Sequence, residues 1–114
     1  MSSSLYAKYV KERLGDEIIE TEYGFATFRY IDKHNSRAVY IVDIYVLPEY
    51  RNSGEASKLA DRIAVIAKDQ GCSEMIGTVL TSAKTATDSV KVLLAYGMTL
   101  KSSTNEALIF VKFI

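Results

Sequence analysis

The sequence predicts a mixed α/β domain whose sheet contains a parallel strand pair joined by a crossover helix. Residues 38–46, "AVYIVDIYV", are apolar and rich in β-branched side chains, which indicates a central strand covered on both faces. Residues 55–70 carry apolar side chains at helical spacing, and residues 73–81, "SEMIGTVLT", are typical of another strand. Because these segments follow one another, the two strands are expected to be parallel neighbours. With 114 residues, the chain is expected to form one domain, 1–114.

The N-terminal part of the chain supplies a helix and two strands before the central strand. Residues 4–14 have helical periodicity, with Ser4 as a cap and Gly15 as the end. We expect this helix to have one apolar side, formed by Leu5, Tyr6, Tyr9, Val10 and Leu14. The segment "DEIIETEYGFATFRYID" alternates in part and predicts two strands bent near Tyr23 and Gly24. The segment "KHNSR" is then the turn into the central strand.

The C-terminal half contains the strongest helix signal of the chain. Apolar residues recur there at helical spacing, and Gly71 ends the pattern; they are Ala56, Leu59, Ala60, Ile63, Ala64, Ile66 and Ala67. A further helix is expected over about 84–96, ending at Gly97. The segments "MTLKSS" and "ALIFVKFI" are two last strands, joined by the turn "STNE". The exposed edge of the last strand is expected to pair with another chain, which favours a homodimer.

Composition excludes several classes of protein and partner. Apolar residues make up 48% and charged residues 25% of the chain, which is ordinary for a globular domain. The formal net charge is zero, so neither nucleic acid nor an anionic membrane is expected as a partner. No apolar run approaches the ~20 residues that cross a bilayer, and no signal peptide is recognised. The one cysteine, Cys72, cannot form an internal disulfide, which fits a reducing, cytoplasmic environment.

The junction "VLPEYRNSGEASKL" between the central strand and the strong helix has the features of an anion site. Pro48 ends the strand, and Gly54 allows a ligand to approach the backbone closely. The helix begins near Glu55, where unpaired amides and the helix dipole favour a phosphate. Positive charge nearby comes from Arg51, Lys58 and Arg62. The alternative is a plain strand-to-helix turn with an incidental glycine, since neither phosphate-binding glycine motif is present.

The segment "YIVDIYVLPEYRNSGEASKLADRIAVIAKDQGCSEM" resembles motif A of the GCN5-related N-acetyltransferase (GNAT) superfamily. The loop of that family, Arg/Gln-x-x-Gly-x-Gly/Ala, corresponds here to residues 51–56. The lead-in "YVLPEYR" is similar to the spermidine/spermine acetyltransferase branch. The resemblance implies that the strands at 38–46 and 75–81 splay apart. It also implies that the N-terminal part is shortened relative to the family.

The same resemblance implies how acetyl-CoA is held. The amides of the loop would bind its pyrophosphate, and the end of the preceding strand, at Ile44 and Val46, would pair with the pantetheine arm. The implied loop residues are Arg51, Asn52, Ser53, Gly54, Glu55, Ala56 and Ser57. Acetyl-CoA is therefore the expected co-substrate, and an amine of a small molecule or a protein is the expected acceptor.

The side chains expected to move protons depart from the family pattern. The usual tyrosine acid falls on Leu93, and a glutamate of the polyamine branch falls on Val42. Asp43 and Tyr45, which share a strand face, are the candidate base and acid, although a structural carboxylate and a packing ring are the alternatives. Tyr96 is a further candidate acid, but we expect it to point away from the position of Leu93.

Two functions remain open at this point. The first is a small acetyl-CoA-dependent N-acetyltransferase in which a substrate amine attacks the thioester within a ternary complex. The second is a GNAT-fold module of weak or no activity that binds CoA or a protein partner. His34 is expected in an exposed turn, and Cys72 is expected to be a small buried residue. No cluster of cysteine and histidine suggests a metal, so none is expected.

Overall fold

A computed structural model of the chain describes residues 4–114, and its elements follow the predicted order. The 3₁₀ turn Pro48–Tyr50 stands between the third strand and the second helix. The helices and strands are α1 (Leu5–Leu14), β1 (Glu17–Glu20), β2 (Gly24–Lys33), β3 (Ser36–Val46), α2 (Glu55–Asp69), β4 (Glu74–Leu80), α3 (Ala86–Ala95), β5 (Thr99–Ser103) and β6 (Ala107–Phe113).

The strands form one six-stranded mixed sheet in the order β1-β2-β3-β4-β6-β5. The β3–β4 pair is parallel and the other pairs are antiparallel, so α2 is the predicted crossover helix. The predicted fold class is therefore confirmed. The expected free edge at the last strand is wrong, because β6 lies between β4 and β5. The edge on that side is β5, which is exposed along its whole length.

The main core lies between the sheet and the face of α2 that the sequence predicts. Leu59, Ala60, Ile63 and Ala67 of α2 are buried. They pack against side chains from several strands, among them Phe28, Val39, Met75 and Phe110. Gly24 begins β2 at the predicted bend, and a Cβ there would lie 2.0 Å from the carbonyl oxygen of Tyr45, so only glycine fits.

Helix α1 starts and stops as predicted but buries a different side. The Ser4 hydroxyl accepts a hydrogen bond from the amide of Ala7, and Gly15 ends the helix with a φ of 72°. The buried residues are Ala7 and Val10, whereas the other apolar positions are exposed: Leu5, Tyr6, Tyr9 and Leu14. The expected apolar side is therefore confirmed only at Val10 and is wrong at the other four positions. Periodicity identified the helix but not the face that it buries.

Candidate functional site

The parallel strands β3 and β4 separate halfway along their length. They pair only from Ala38 with Glu74 to Ile41 with Gly77. Beyond that point β3 stays paired with β2, while β4 stays paired with β6. The splay implied by the sequence is thus confirmed. It opens a gap at the carboxyl ends of the two strands, which is where ligands bind in open α/β sheets.

A β-bulge in β3 lies at the start of this gap. Thr27 pairs with Asp43, but the next residue of β2, Phe28, pairs with Ile41, so Val42 is the extra residue. The bulge exposes both Val42 and Asp43 to solvent. The expectation that β3 is covered on both faces is therefore wrong at its carboxyl end, where Val42, Asp43 and Tyr45 are exposed.

The loop after β3 turns sharply into α2. Asn52 has a φ of 64°, and Gly54, the N-cap of α2, has a φ of 86°. A Cβ built on Gly54 meets no atom within 4 Å, so open space lies in front of the residue. The side chain of Arg51 returns to the strand, where its Nε donates a hydrogen bond of 2.8 Å to the carbonyl of Val46.

The backbone amides of residues 52–57 form what we call the amide cradle. Within the described residues, none of these amides donates a hydrogen bond; the first amide to do so after them is that of Lys58, to Gly54. Consecutive free amides at a helix N-terminus, together with the helix dipole, attract an anion such as a phosphate. The predicted anion site therefore has the backbone geometry that such a ligand needs.

Several side chains around the amide cradle have partners of their own. Glu55, which would repel an anion, forms an ion pair of 3.1 Å with Lys58. The guanidinium carbon of Arg51 lies 5.5 Å from the ring centre of Tyr45, and the Ser53 hydroxyl donates to the carbonyl of Tyr50. The repulsion of an anion by Glu55 is therefore offset, and the positive charge of Arg51 remains beside the amides.

A small apolar cavity lies between β3, the first turns of α2 and the end of α3. It is lined mainly by apolar side chains, together with Ser57 and Tyr96: Ile41, Ile44, Ala56, Ala60, Val92, Leu93 and Met98. A Cβ on Gly77 would lie 3.5 Å from the Cδ atoms of Leu93, so Leu93 packs directly over β4. The position expected for a proton donor is thus inside the cavity, and it holds a side chain without a proton to give.

Tyr96 lines the same cavity as Leu93, which corrects the expectation that it points away. Residues three apart lie on the same face of a helix. The Tyr96 hydroxyl donates a hydrogen bond of 2.9 Å to Oδ1 of Asp61 on α2. Burial and this carboxylate raise the pKa of Tyr96 to about 12. Lys112 of β6 lies with Nζ 4.0 Å from the ring centre and donates to the carbonyl of Tyr96.

Asp43 and Tyr45 share a sheet face, as predicted, but it is the face opposite the cavity. Their partners in β2 are Thr27 and Phe25, whereas Ile44, which lines the cavity, alternates with them. The ring of Tyr45 stacks on that of Phe25 at 5.7 Å. Asp43 is exposed, and its side chain has no hydrogen bond or ion pair among residues 4–114. The structure therefore does not bring these two residues together with Tyr96.

The remaining sequence candidates have the expected surroundings. His34 is exposed, and Cys72 is a buried free thiol whose pKa is raised by burial. Among residues 4–114 no three His, Cys, Asp or Glu side chains are grouped so that they could hold a metal ion. In the same part of the chain, no helix is both long enough and apolar enough to cross a membrane.

The sequence did not reveal the contacts of Asp61 and Lys112 with Tyr96. Each contact joins residues far apart in the chain. Tyr96, at the end of α3, contacts Asp61 of α2 and Lys112 of β6. The polar position of Asp61 on α2 was consistent with a solvent-facing side chain, and only the packing of α3 against α2 gives it a partner. The bulge at Val42 was equally hidden, because it depends on the register between β2 and β3.

The fold and the site together define an α/β domain with a splayed sheet and an amide cradle that suits an anion. Residues 12–96 match the acetyltransferase (GNAT) family, and the chain belongs to that family. The chain is 42% identical over 77 residues to a thialysine N-epsilon-acetyltransferase of Bos taurus, a match that covers 68% of this chain and 45% of the relative. The corresponding enzyme of Mus musculus is 38% identical over the same length. The chain thus spans less than half the length of the curated relatives it matches.

Solved structures share the same fold at low sequence identity. A putative GNAT acetyltransferase from Desulfovibrio desulfuricans superposes with a TM-score of 0.75 at 14% identity, over 93% of this chain and 77% of that one. A GNAT acetyltransferase from Elizabethkingia anophelis with acetyl-CoA bound gives a TM-score of 0.73 at 12% identity, over 99% and 92% of the two chains. These likenesses establish the fold.

Proposed function

We propose that this chain is an acetyl-CoA-dependent N-acetyltransferase that transfers an acetyl group to a primary amine. The amide cradle at the N-terminus of α2, beside the gap between β3 and β4, is the observation that carries the proposal. Support also comes from the relatives named thialysine N-epsilon-acetyltransferase and from a structural neighbour with acetyl-CoA bound. The acceptor is proposed to be a small molecule or a protein amine.

The residues present fit the co-substrate. The free amides of residues 52–57 suit a pyrophosphate. The carbonyl of Ile44 and the amides of Ile44 and Val46 face the gap left by β4 and can pair with the polar groups of a pantetheine arm, while the carbonyl of Val46 accepts from Arg51. The apolar cavity beside them, lined by side chains such as Ile41 and Leu93, has a volume of about 10 Å³ and would have to widen to take the thioester end.

We propose direct attack of the amine on the thioester within a ternary complex. Acetyl-CoA would supply the acetyl group, and the products would be an amide and a free thiol. Asp43, beside the gap on the sheet face opposite the cavity, is the proposed base for an amine that enters the gap from that face. The proposed donor to the leaving sulfur is Tyr45 on the same face or Tyr96 on the cavity side. Tyr96, with a pKa of about 12, is a weak acid towards a thiolate whose conjugate thiol has a pKa of about 8.5. Burial and the bond to Asp61 therefore both disfavour Tyr96 as the donor.

A second function is favoured by one observation. Leu93 occupies the cavity position at which the family resemblance expects a tyrosine acid, and it packs against Gly77 and Met98. A chain that binds CoA but transfers slowly or not at all is consistent with that replacement. In this alternative the domain is a CoA-binding or protein-interaction module.

Turnover with defined amines distinguishes the two functions. The chain is incubated with acetyl-CoA and, separately, thialysine, lysine peptides and polyamines, and both free thiol and acetylated amine are measured. Equal amounts of thiol and acetylated product, above a blank without protein, support the enzyme. Binding of acetyl-CoA without product from any amine would support the module.

We also propose a homodimer and a cytoplasmic location. The dimer is supported by the exposed edge strand β5, whose unpaired backbone groups can pair with a second copy. The location is supported by the free thiol of Cys72, which suits a reducing compartment. Light scattering across a range of protein concentrations tests the dimer, and a monomer throughout the range contradicts it.

A further inference from the structure

The carbonyl of Val46 lies where β3 has lost its neighbour on one side. The amide of Leu47 donates to the carbonyl of Tyr23 at 2.8 Å, so the polar groups of Leu47 face β2. Successive residues of a strand point their polar groups to opposite sides, and those of Val46 therefore face the gap. Since β3 and β4 part after Ile41, β4 provides no partner for this carbonyl.

Arg51 supplies the partner that β4 does not. Its Nε donates a hydrogen bond of 2.8 Å to the Val46 carbonyl. Val46 is only 8% exposed, and an acceptor buried there without a donor would be costly. The guanidinium also lies over the ring of Tyr45, 5.5 Å from its centre. Both contacts tie the start of the amide cradle to the end of the strand.

We propose that Arg51 is a positioning residue that fixes the amide cradle relative to the end of β3. It acts through the geometry of its hydrogen bond to Val46. The attraction between its positive charge and a bound anion is the smaller contribution. The inference rests on the proposed function, because it concerns how one strand end and one loop hold the two parts of the same co-substrate. A loop that moves against the strand would bind the pyrophosphate and the pantetheine arm at the wrong separation.

The contacts favour geometry over charge. The Nε–H of Arg51 is used by a neutral carbonyl, and the ring of Tyr45 lies beside the guanidinium. The amide cradle already provides donors for an anion without any side chain.

Three substitutions separate the two roles of Arg51. Arg51→Gln keeps a donor, because the side-chain amide nitrogen of glutamine follows Cδ just as Nε of arginine does, and it removes the charge. Arg51→Lys keeps the charge but has a methylene at that place. Arg51→Met has a similar length and removes both the donor and the charge.

Affinity for acetyl-CoA and loop mobility are measured on the full chain. We expect Arg51→Gln to bind within about threefold of the wild type, and Arg51→Met to bind at least about tenfold more weakly. Arg51→Lys should resemble Arg51→Met. The opposite ranking, with lysine near the wild type and glutamine as weak as methionine, would overturn the proposal in favour of charge.

A measurement without ligand keeps the inference separate from the proposed function. Backbone order parameters of residues 50–54, from ¹⁵N relaxation, should stay near about 0.85 in the wild type and Arg51→Gln and fall towards about 0.6 in Arg51→Met. If the wild type binds no acetyl-CoA but this pattern is seen, the proposed function fails and the positioning role stands. Unchanged order parameters in Arg51→Met would contradict the positioning role, whether or not acetyl-CoA binds.

Discussion

The two ends of the candidate site are built from different parts of the chain. At the amide cradle the recognising groups are backbone amides, and the side chains there, such as Glu55 and Asn52, can differ from a relative's without removing a donor. At the cavity the chemistry depends on individual side chains, and Leu93 stands where a proton donor is expected. The cradle keeps its geometry, whereas the cavity lacks the expected acid.

This contrast shows what substitutions can and cannot change. A backbone site survives changes of side chain so long as its turn and its helix form, which requires Gly54 at a positive φ and the start of α2. A proton-transfer site is altered by a single change from tyrosine to leucine. Binding of the co-substrate and the rate of transfer are therefore expected to respond to different mutations.

The largest expected effect comes from supplying the absent acid. Leu93→Tyr places a phenol in the cavity beside Gly77, and general acid catalysis contributes about 10²-fold or more to such transfers. We expect kcat to rise by about 10- to 100-fold while the KM for acetyl-CoA changes little. Steady-state kinetics with the best amine acceptor measure both constants.

A matched control for this variant is Leu94→Tyr. Leu94 is the next residue of α3 but is 54% exposed, so the same change there adds a phenol outside the cavity. It should leave kcat unaltered. If Leu93→Tyr and Leu94→Tyr both raise kcat, or if neither does, Leu93 does not occupy the position of the absent proton donor.

A smaller effect is expected from adding one methyl group at the cradle. Gly54→Ala forces a residue with a Cβ into a φ of 86°, which costs about 1–2 kcal/mol, and the loop relaxes by turning its amides. Affinity for acetyl-CoA should fall about tenfold. Calorimetry and thermal unfolding are measured together on the same variant.

Gly71→Ala tests whether strain alone explains that loss. Gly71 has a φ of 85° and also faces open space, but it lies at the other end of α2. Its substitution should destabilise the fold by a similar amount and leave the affinity for acetyl-CoA unchanged. Equal losses of affinity in both variants would mean that the cradle is not the binding site.

The smallest effect concerns the pH dependence of stability at the cavity. The pKa of Tyr96 is raised from 10.0 to about 12, so the folded chain keeps this proton after the unfolded chain has lost it. The stability that this proton contributes is complete below pH 10 and is lost as the pH rises towards 12. Denaturant unfolding from pH 8.5 to 11.5 should show a steeper decline for the wild type than for Tyr96→Phe. Parallel curves would contradict the raised pKa.

Local patterns predicted the elements and their order, but contacts between distant residues could not be predicted in the same way. The spacing of Leu59, Ala60 and Ile63 identified α2 and its buried face, since that helix packs on the sheet with a wide stripe. The same reasoning succeeded in α1 only at Val10, because Ala7 is buried with it and the larger side chains are exposed. A strand's place in the sheet is also non-local, so β6 was wrongly expected at an edge.

The candidate site also has one part that the sequence predicted and another that it did not. The cradle was predictable because Gly54 and the helix start are adjacent in sequence and act through the backbone. The contact of Asp61 with Tyr96 and the bulge at Val42 depend on helix packing and strand register, which no short motif encodes. The roles of Asp43, Tyr45 and Tyr96 in proton transfer stay predictions.

The most direct measurement is calorimetric titration of acetyl-CoA into the wild type, Gly54→Glu and Gly71→Glu. Both substitutions add the same bulk and charge at a glycine of positive φ facing open space, but only the first does so at the amide cradle. The account predicts micromolar binding by the wild type and Gly71→Glu and none by Gly54→Glu. Binding by Gly54→Glu equal to that of the wild type, or no binding by the wild type, would contradict it.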